Sequence, residues 1–114
     1  MPYINTTTTK NLTDSDVKAL TAAFGKAIEK IPGKTEEWLM LNFDGGAKMA
    51  FHGDTEGDFC YIEVSILGKA EKESCNALTA ALTDEISNRL GISPASIYVK
   101  FEDAELWGWQ GELL

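Results

Sequence analysis

Ala19-Leu20-Thr21-Ala22-Ala23 recurs as Ala77-Leu78-Thr79-Ala80-Ala81, an offset of 58 positions, and the same offset pairs Tyr3-Ile4 with Tyr61-Ile62, Ile28 with Ile86 and Phe43 with Phe101. Matches before, within and after the five-residue identity point to a duplicated unit. The repeat spans about residues 2–44 and 59–102. Each copy is then one supersecondary unit, and both belong to a single domain over residues 1–114, a length that supports one core.

The first copy opens with the β-branched and aromatic run Tyr3 to Thr8, a predicted strand. Thr13 and Asp16 have the spacing of a capping box, with Asp in the place usual for Glu or Gln. Val17, Leu20, Phe24, Ile28 and Ile31 follow at steps of three and four, which predicts a helix with one apolar stripe. Pro32-Gly33 ends it, and Trp38 to Phe43 reads as a second strand. The second copy repeats the plan: a strand from Phe59 to Leu67, a helix striped by Cys75, Leu78, Leu82, Ile86 and Leu90, and a strand from Ile97 to Phe101. Between the copies, Asp44-Gly45-Gly46 and the segment His52 to Asp58 carry turn chemistry, with a short extended stretch expected at Met49 to Phe51.

Two β-α-β units build an α/β fold, a four-stranded mixed sheet with two helices on one face. The other face is uncovered. Leu39, Leu41, Ile62, Val64, Ile97 and Val99 exceed what two short helices are expected to cover, which predicts a second apolar surface and an oligomer.

Composition excludes several functions. A formal charge of −8 opposes binding to nucleic acid or to anionic membranes. The apolar runs are too short to span a bilayer, and the amino-terminal residues lack the pattern of a signal peptide, so a cytoplasmic protein is expected. Cys60, Cys75 and the lone His52 have no metal-ligand spacing; no metal or cofactor is expected. Phosphate loops and nucleophile elbows are absent. Glu36-Glu37 and Glu71-Lys72-Glu73 read as solvated charges.

Position two remains. Loss of Met1 would leave Pro2 as a secondary amine at the head of a strand, able to take a proton from carbon if burial or a nearby cation keeps it neutral. While Met1 is attached the Pro2 nitrogen is an amide, and it has no basicity.

Pro2 opening a strand, Gly33-Lys34 after the first helix, Leu67-Gly68-Lys69 ending the third strand, Ile92-Ser93-Pro94 before Tyr98, and Gly108-Trp109 near the end together resemble the macrophage migration inhibitory factor family of the tautomerase superfamily. The resemblance runs nearly the whole chain. It implies a homotrimer with sheets around a central axis, short terminal strands reaching neighbours, and active sites at the interfaces. It implies a cofactor-free enol–keto tautomerase acting on a small-molecule acid such as phenylpyruvate, with Pro2 as base and acid. Lys34 would hold the substrate carboxylate, the Leu67 backbone would contribute, and Tyr98 would enter from the adjacent subunit. Trp38, Trp107 and Trp109 would supply aromatic walls. Lys100 stands where the best-known members carry asparagine and Ser65 where they carry histidine, which predicts a more cationic pocket. Two alternatives follow from the same likeness: a trimeric signalling protein with a receptor-type partner and a vestigial pocket, or another reaction of the superfamily on a small unsaturated acid.

Overall fold

The computed structural model describes residues 1–114. Chain order is β1 (Pro2–Thr8), α1 (Asp14–Ala27), β2 (Met40–Asp44), β3 (Cys60–Leu67), α2 (Lys72–Leu90), β4 (Ile97–Ala104), and a terminal hairpin of β5 (Gly108–Trp109) and β6 (Glu112–Leu113). The main sheet runs β2-β1-β3-β4. Within each repeat the strands are parallel, β1 with β2 and β3 with β4, and the two repeats join through the antiparallel pair β1–β3. Neither helix is long and apolar enough to cross a membrane.

The repeat and the register agree. Ile4 lies opposite Val64, and Thr6 lies opposite Ile62. Shifting each residue to its counterpart in the other copy converts the first pair into the second, so the centre of the sheet is a pseudo-twofold axis. Thr6 therefore occupies the place that Val64 fills in the second copy.

Strand alternation sends Ile4, Ile62, Val64 and Ile66 to the helix side, where they are fully buried with Leu20, Phe24 and Ile28 from the first repeat and Leu78, Leu82 and Ile86 from the second. Val17 and Cys75, at the starts of the two stripes, are only half-buried. The capping box forms as expected, with Thr13 N–H donating to Asp16 Oδ2 at 3.0 Å and Asp16 N–H to Thr13 Oγ1 at 3.0 Å. Arg89 donates to Asp16 Oδ1 at 2.9 Å, tying the end of α2 to the start of α1. Gly91, with φ of 72°, closes α2 in the left-handed conformation that a side chain would resist.

Three expectations change. The first helix ends at Ala27 and tightens into a 3-10 turn over Ile28–Lys30, although Ile28 and Ile31 stay buried. Trp38 belongs to a second 3-10 turn, Glu36–Trp38, so β2 begins only at Met40. The stretch at Met49 to Phe51 is reduced to a single bridge between Phe51 and Asp54.

The residues expected to form a second apolar surface do not lie on the open face; the exposed large apolar side chains include Trp38, Met40, Leu106 and Trp109 instead. Leu39, Leu41 and Val99 pack against the core, and Ile62, Val64 and Ile97 are part of it. The open face instead carries Asn5, Asn42, Glu63, Ser65, Lys100 and Glu102, with scattered aromatics. A period of two puts all the strand residues counted as surplus on one side.

Thr6 Oγ1 is buried with no hydrogen-bond partner. Thr6→Val, the residue of the sister repeat, is expected to raise unfolding free energy by about 1 kcal/mol in urea denaturation, because it removes a desolvated hydroxyl at constant shape. Asp16 has its carboxyl held below the ordinary 3.8 by the Thr13 backbone N–H and by Arg89. Its contribution is complete above about pH 4 and is lost as pH falls through the depressed folded value. Asp16→Asn is therefore expected to flatten the acid limb of the stability–pH curve below about pH 4.

Candidate active site

Pro2 is the first residue of β1 and is buried, opposite Ile66 on β3. Its neighbours in sequence and space make one end of the sheet concave. The Glu36–Trp38 turn and the segment Leu106 to Trp109 both contribute to it. Together they enclose an open groove of about 1060 Å³, lined by Met1, Pro2, Ser65, Trp38, Trp107 and Trp109 among others. Trp38 and Trp109 meet edge to face, with ring centroids 5.1 Å apart and planes at 89°. The three tryptophans are thus brought together, as the aromatic walls require.

Lys34 arrives by a local route. Gly33 adopts φ of 81°, and the turn is closed by Lys34 N–H donating to Ile31 O at 3.1 Å. The side chain then reaches across to β3, where Nζ donates to Leu67 O at 3.2 Å. Leu67 N–H in turn donates to Met1 O at 3.1 Å. Lys34, Leu67 and the amino-terminal residues form one hydrogen-bonded chain beside the groove. The Met1 amine is lowered from its ordinary value of 8.0, first by burial and then by the charge and hydrogen bonding of Lys34. A cation and partial desolvation both favour the neutral amine.

Tyr98 and Lys100 are not brought to Pro2 within the chain. Tyr98 lies opposite Tyr61, five residues along β3 from Ile66, which at ~3.3 Å per residue is about 17 Å away. It sits over a separate hollow of about 340 Å³ and meets Phe51 edge to face at 4.9 Å. Its side chain is 60% exposed. Lys100 lies on the open face of the sheet, 2.8 Å from Glu102 and 3.3 Å from Glu63. Hydrogen bonds to Glu102, Glu63 and Tyr61 hold its ammonium well above the ordinary lysine range. The expected extra free cation is thus corrected: register sets Glu63 directly opposite Lys100, and Glu102 follows two residues along the same face.

Glu37, Met40 and Leu106 also line the groove and were missed as site residues. Glu36 and Glu37 are both exposed in the first turn of the 3-10 helix, as solvated charges are expected to be; Glu36 also lies over Gly25 on α1, while Glu37 is among the residues that line the groove. No local pattern separates the two. Cys60 is no nucleophile, since burial pushes its thiol up to about 12.

A duplicated β-α-β sheet with an amine-lined groove at the strand end defines a protein of the tautomerase-superfamily type. The macrophage migration inhibitory factor (MIF) family model matches residues 1–114, and the chain belongs to that family. Leishmania major MIF2 is 26% identical over 100% of this chain and 97% of its own, with a TM-score of 0.93. A macrophage migration inhibitory factor homologue from Prochlorococcus marinus is 30% identical over 97% of both chains, with a TM-score of 0.86. The factor from Oncomelania hupensis shares the fold at 21% identity, over 99% of this chain and 82% of its own, with a TM-score of 0.83. Comparison with curated proteins gives no match.

With Met1 attached, Lys34→Gln is expected to return the amine toward 8.0, since the substitution removes the charge that opposes protonation. Reductive methylation with a ¹³C label, followed by NMR titration, reads the amine directly.

Proposed function

We propose that the chain, after loss of Met1, is a cofactor-independent enol–keto tautomerase acting on phenylpyruvate-like aryl 2-keto acids. The observation that supports this reading is that Pro2 lines a groove shared with three tryptophans, while Lys34 is linked to the same amino terminus through Leu67 and Met1. Removal of Met1 converts that nitrogen from an amide to a secondary amine. It also frees Leu67 N–H, which otherwise donates to Met1 O. Lys34 and this N–H then face a substrate carboxylate together, and the Lys34 charge keeps the amine neutral enough to act as a base. In the keto-to-enol direction Pro2 takes a proton from C3, charge moves to the carbonyl oxygen, and the protonated Pro2 amine delivers that proton to the oxygen, which restores the base. The reverse path returns the proton to carbon. Binding energy from the aryl group on the indole walls orients C3 toward the amine.

Tyr98, remote from Pro2 in its own chain, acts in this reading in the groove of an adjacent copy, where its phenol donates to the developing enolate oxygen. That requires an assembly, read here as a homotrimer of the family kind. The polar open face of the sheet is compatible with a hydrated interior of such a ring. Lys100 is held by two carboxylates, so it gives no support to a reaction that needs a second free cation.

Protein that scatters light as a trimer, with an intact mass lacking Met1, is expected to ketonise phenylpyruvate enol. Pro2→Gly is expected to lower kcat/KM by about 100-fold or more, a range typical for loss of a general base. Lys34→Ala is expected to act chiefly on KM. Full activity in protein that retains Met1 would overturn the role of Pro2.

A further inference from the structure

One carboxylate lines the groove, and one ammonium stands outside the lining, beside the amino terminus. Lys34 lies beside Met1 and Leu67, and Glu37 is the one ionised side chain among the lining residues, next to Trp38 in the 3-10 turn. None of the chain's ion pairs involves either: Lys10 pairs with Asp58, Arg89 with Asp16, and Lys100 with Glu63 and Glu102. Glu37 therefore has no cationic partner within the chain, and Lys34 has the Leu67 carbonyl but no carboxylate. Trp38 and Trp109 are 43% and 46% exposed in the single chain, so part of each residue is open beside the same groove. Open indole faces attract organic cations through the ring quadrupole, and an adjacent carboxylate adds Coulombic attraction. The chain's net charge of −8 favours a cation in the same sense and disfavours a second anionic group.

We propose that Glu37, Trp38 and Trp109 form a subsite for an organic ammonium, so that the preferred ligand is a zwitterion with its acid end at Lys34 and its cationic group at Glu37. The position of the acid end rests on the tautomerase reading above; the cation subsite does not. An aryl 2-keto acid with a ring-borne ammonium meets both requirements. A ring-borne carboxylate meets only the first, because it sets like charge against Glu37.

The test compares 4-(trimethylammonio)phenylpyruvate with its uncharged isostere 4-tert-butylphenylpyruvate, by calorimetric titration of the trimer. The pair differs in charge and hardly in shape. The cationic compound is expected to bind about 5-fold more tightly at low salt, a modest factor because the subsite is partly solvated. Glu37→Gln is expected to reduce that preference by about 3-fold, and Trp109→Leu to reduce it further. Added salt should narrow the difference between wild type and Glu37→Gln. Glu29→Gln removes the same charge from an exposed position outside the groove and serves as the control. Equal or tighter binding of the uncharged isostere overturns the proposal, as does a Glu37→Gln effect no larger than that of Glu29→Gln. Turnover of phenylpyruvate is measured on the same preparations. A retained cation preference without turnover sinks the catalytic reading and leaves the subsite standing.

Discussion

The antiparallel pairing of β1 with β3 is the constraint on which the rest of this structure depends. Each repeat by itself is a parallel strand pair with one helix, too small to bury both faces of its apolar layer. Joining the repeats edge to edge in this direction makes a single continuous sheet. Ile4 comes opposite Val64 and Ile62 opposite Thr6, while Leu20, Phe24, Leu78 and Leu82 close over them. The same register carries Pro2 to Ile66, and hence next to Leu67, whose carbonyl holds Lys34. Core and site are set by one pairing. A slip of one residue would turn Pro2 and every core side chain of β1 to the open face.

The electrostatics of the chain divide between the two sides of the sheet end. On the open face Lys100 is enclosed by Glu63 and Glu102, so charge there is spent within the chain. At the groove, Lys34 has a backbone carbonyl as its partner and no carboxylate, which leaves its positive charge able to act on an amine and on a ligand. The distinction is one of geometry. Two lysines in one small domain differ in chemical potential because one has acidic neighbours in register and the other follows a glycine turn to a strand end.

Much of the architecture was legible in the sequence. The duplicated unit, the helix stripes, the capping box at Thr13 and Asp16, and the strand cores all follow from local periodicity and from short-range hydrogen bonding. The errors are equally physical. Trp38 looked like strand because it opens the apolar run Trp38-Leu39-Met40-Leu41 that leads on to Phe43, yet Thr35 to Leu39 close 3-10 hydrogen bonds first. The predicted apolar surplus assumed that strand residues divide between two faces, whereas the alternation puts all of those in the strands on the helix side.

The sequence by itself determined the order of elements and the repeat, because these follow from patterns within a few residues; Pro2 became a candidate through its covalent position, and Lys34 through the family resemblance. Tertiary structure alone decided that Glu63 neutralises Lys100, that Tyr98 stands far from the Pro2 of its own chain, and that Glu37 rather than Glu36 faces the groove. Each of these depends on register between strands or on the path of a turn. Residues as far apart in the chain as Glu63 and Lys100 meet only when the sheet has formed, and no local pattern encodes which of them will face each other.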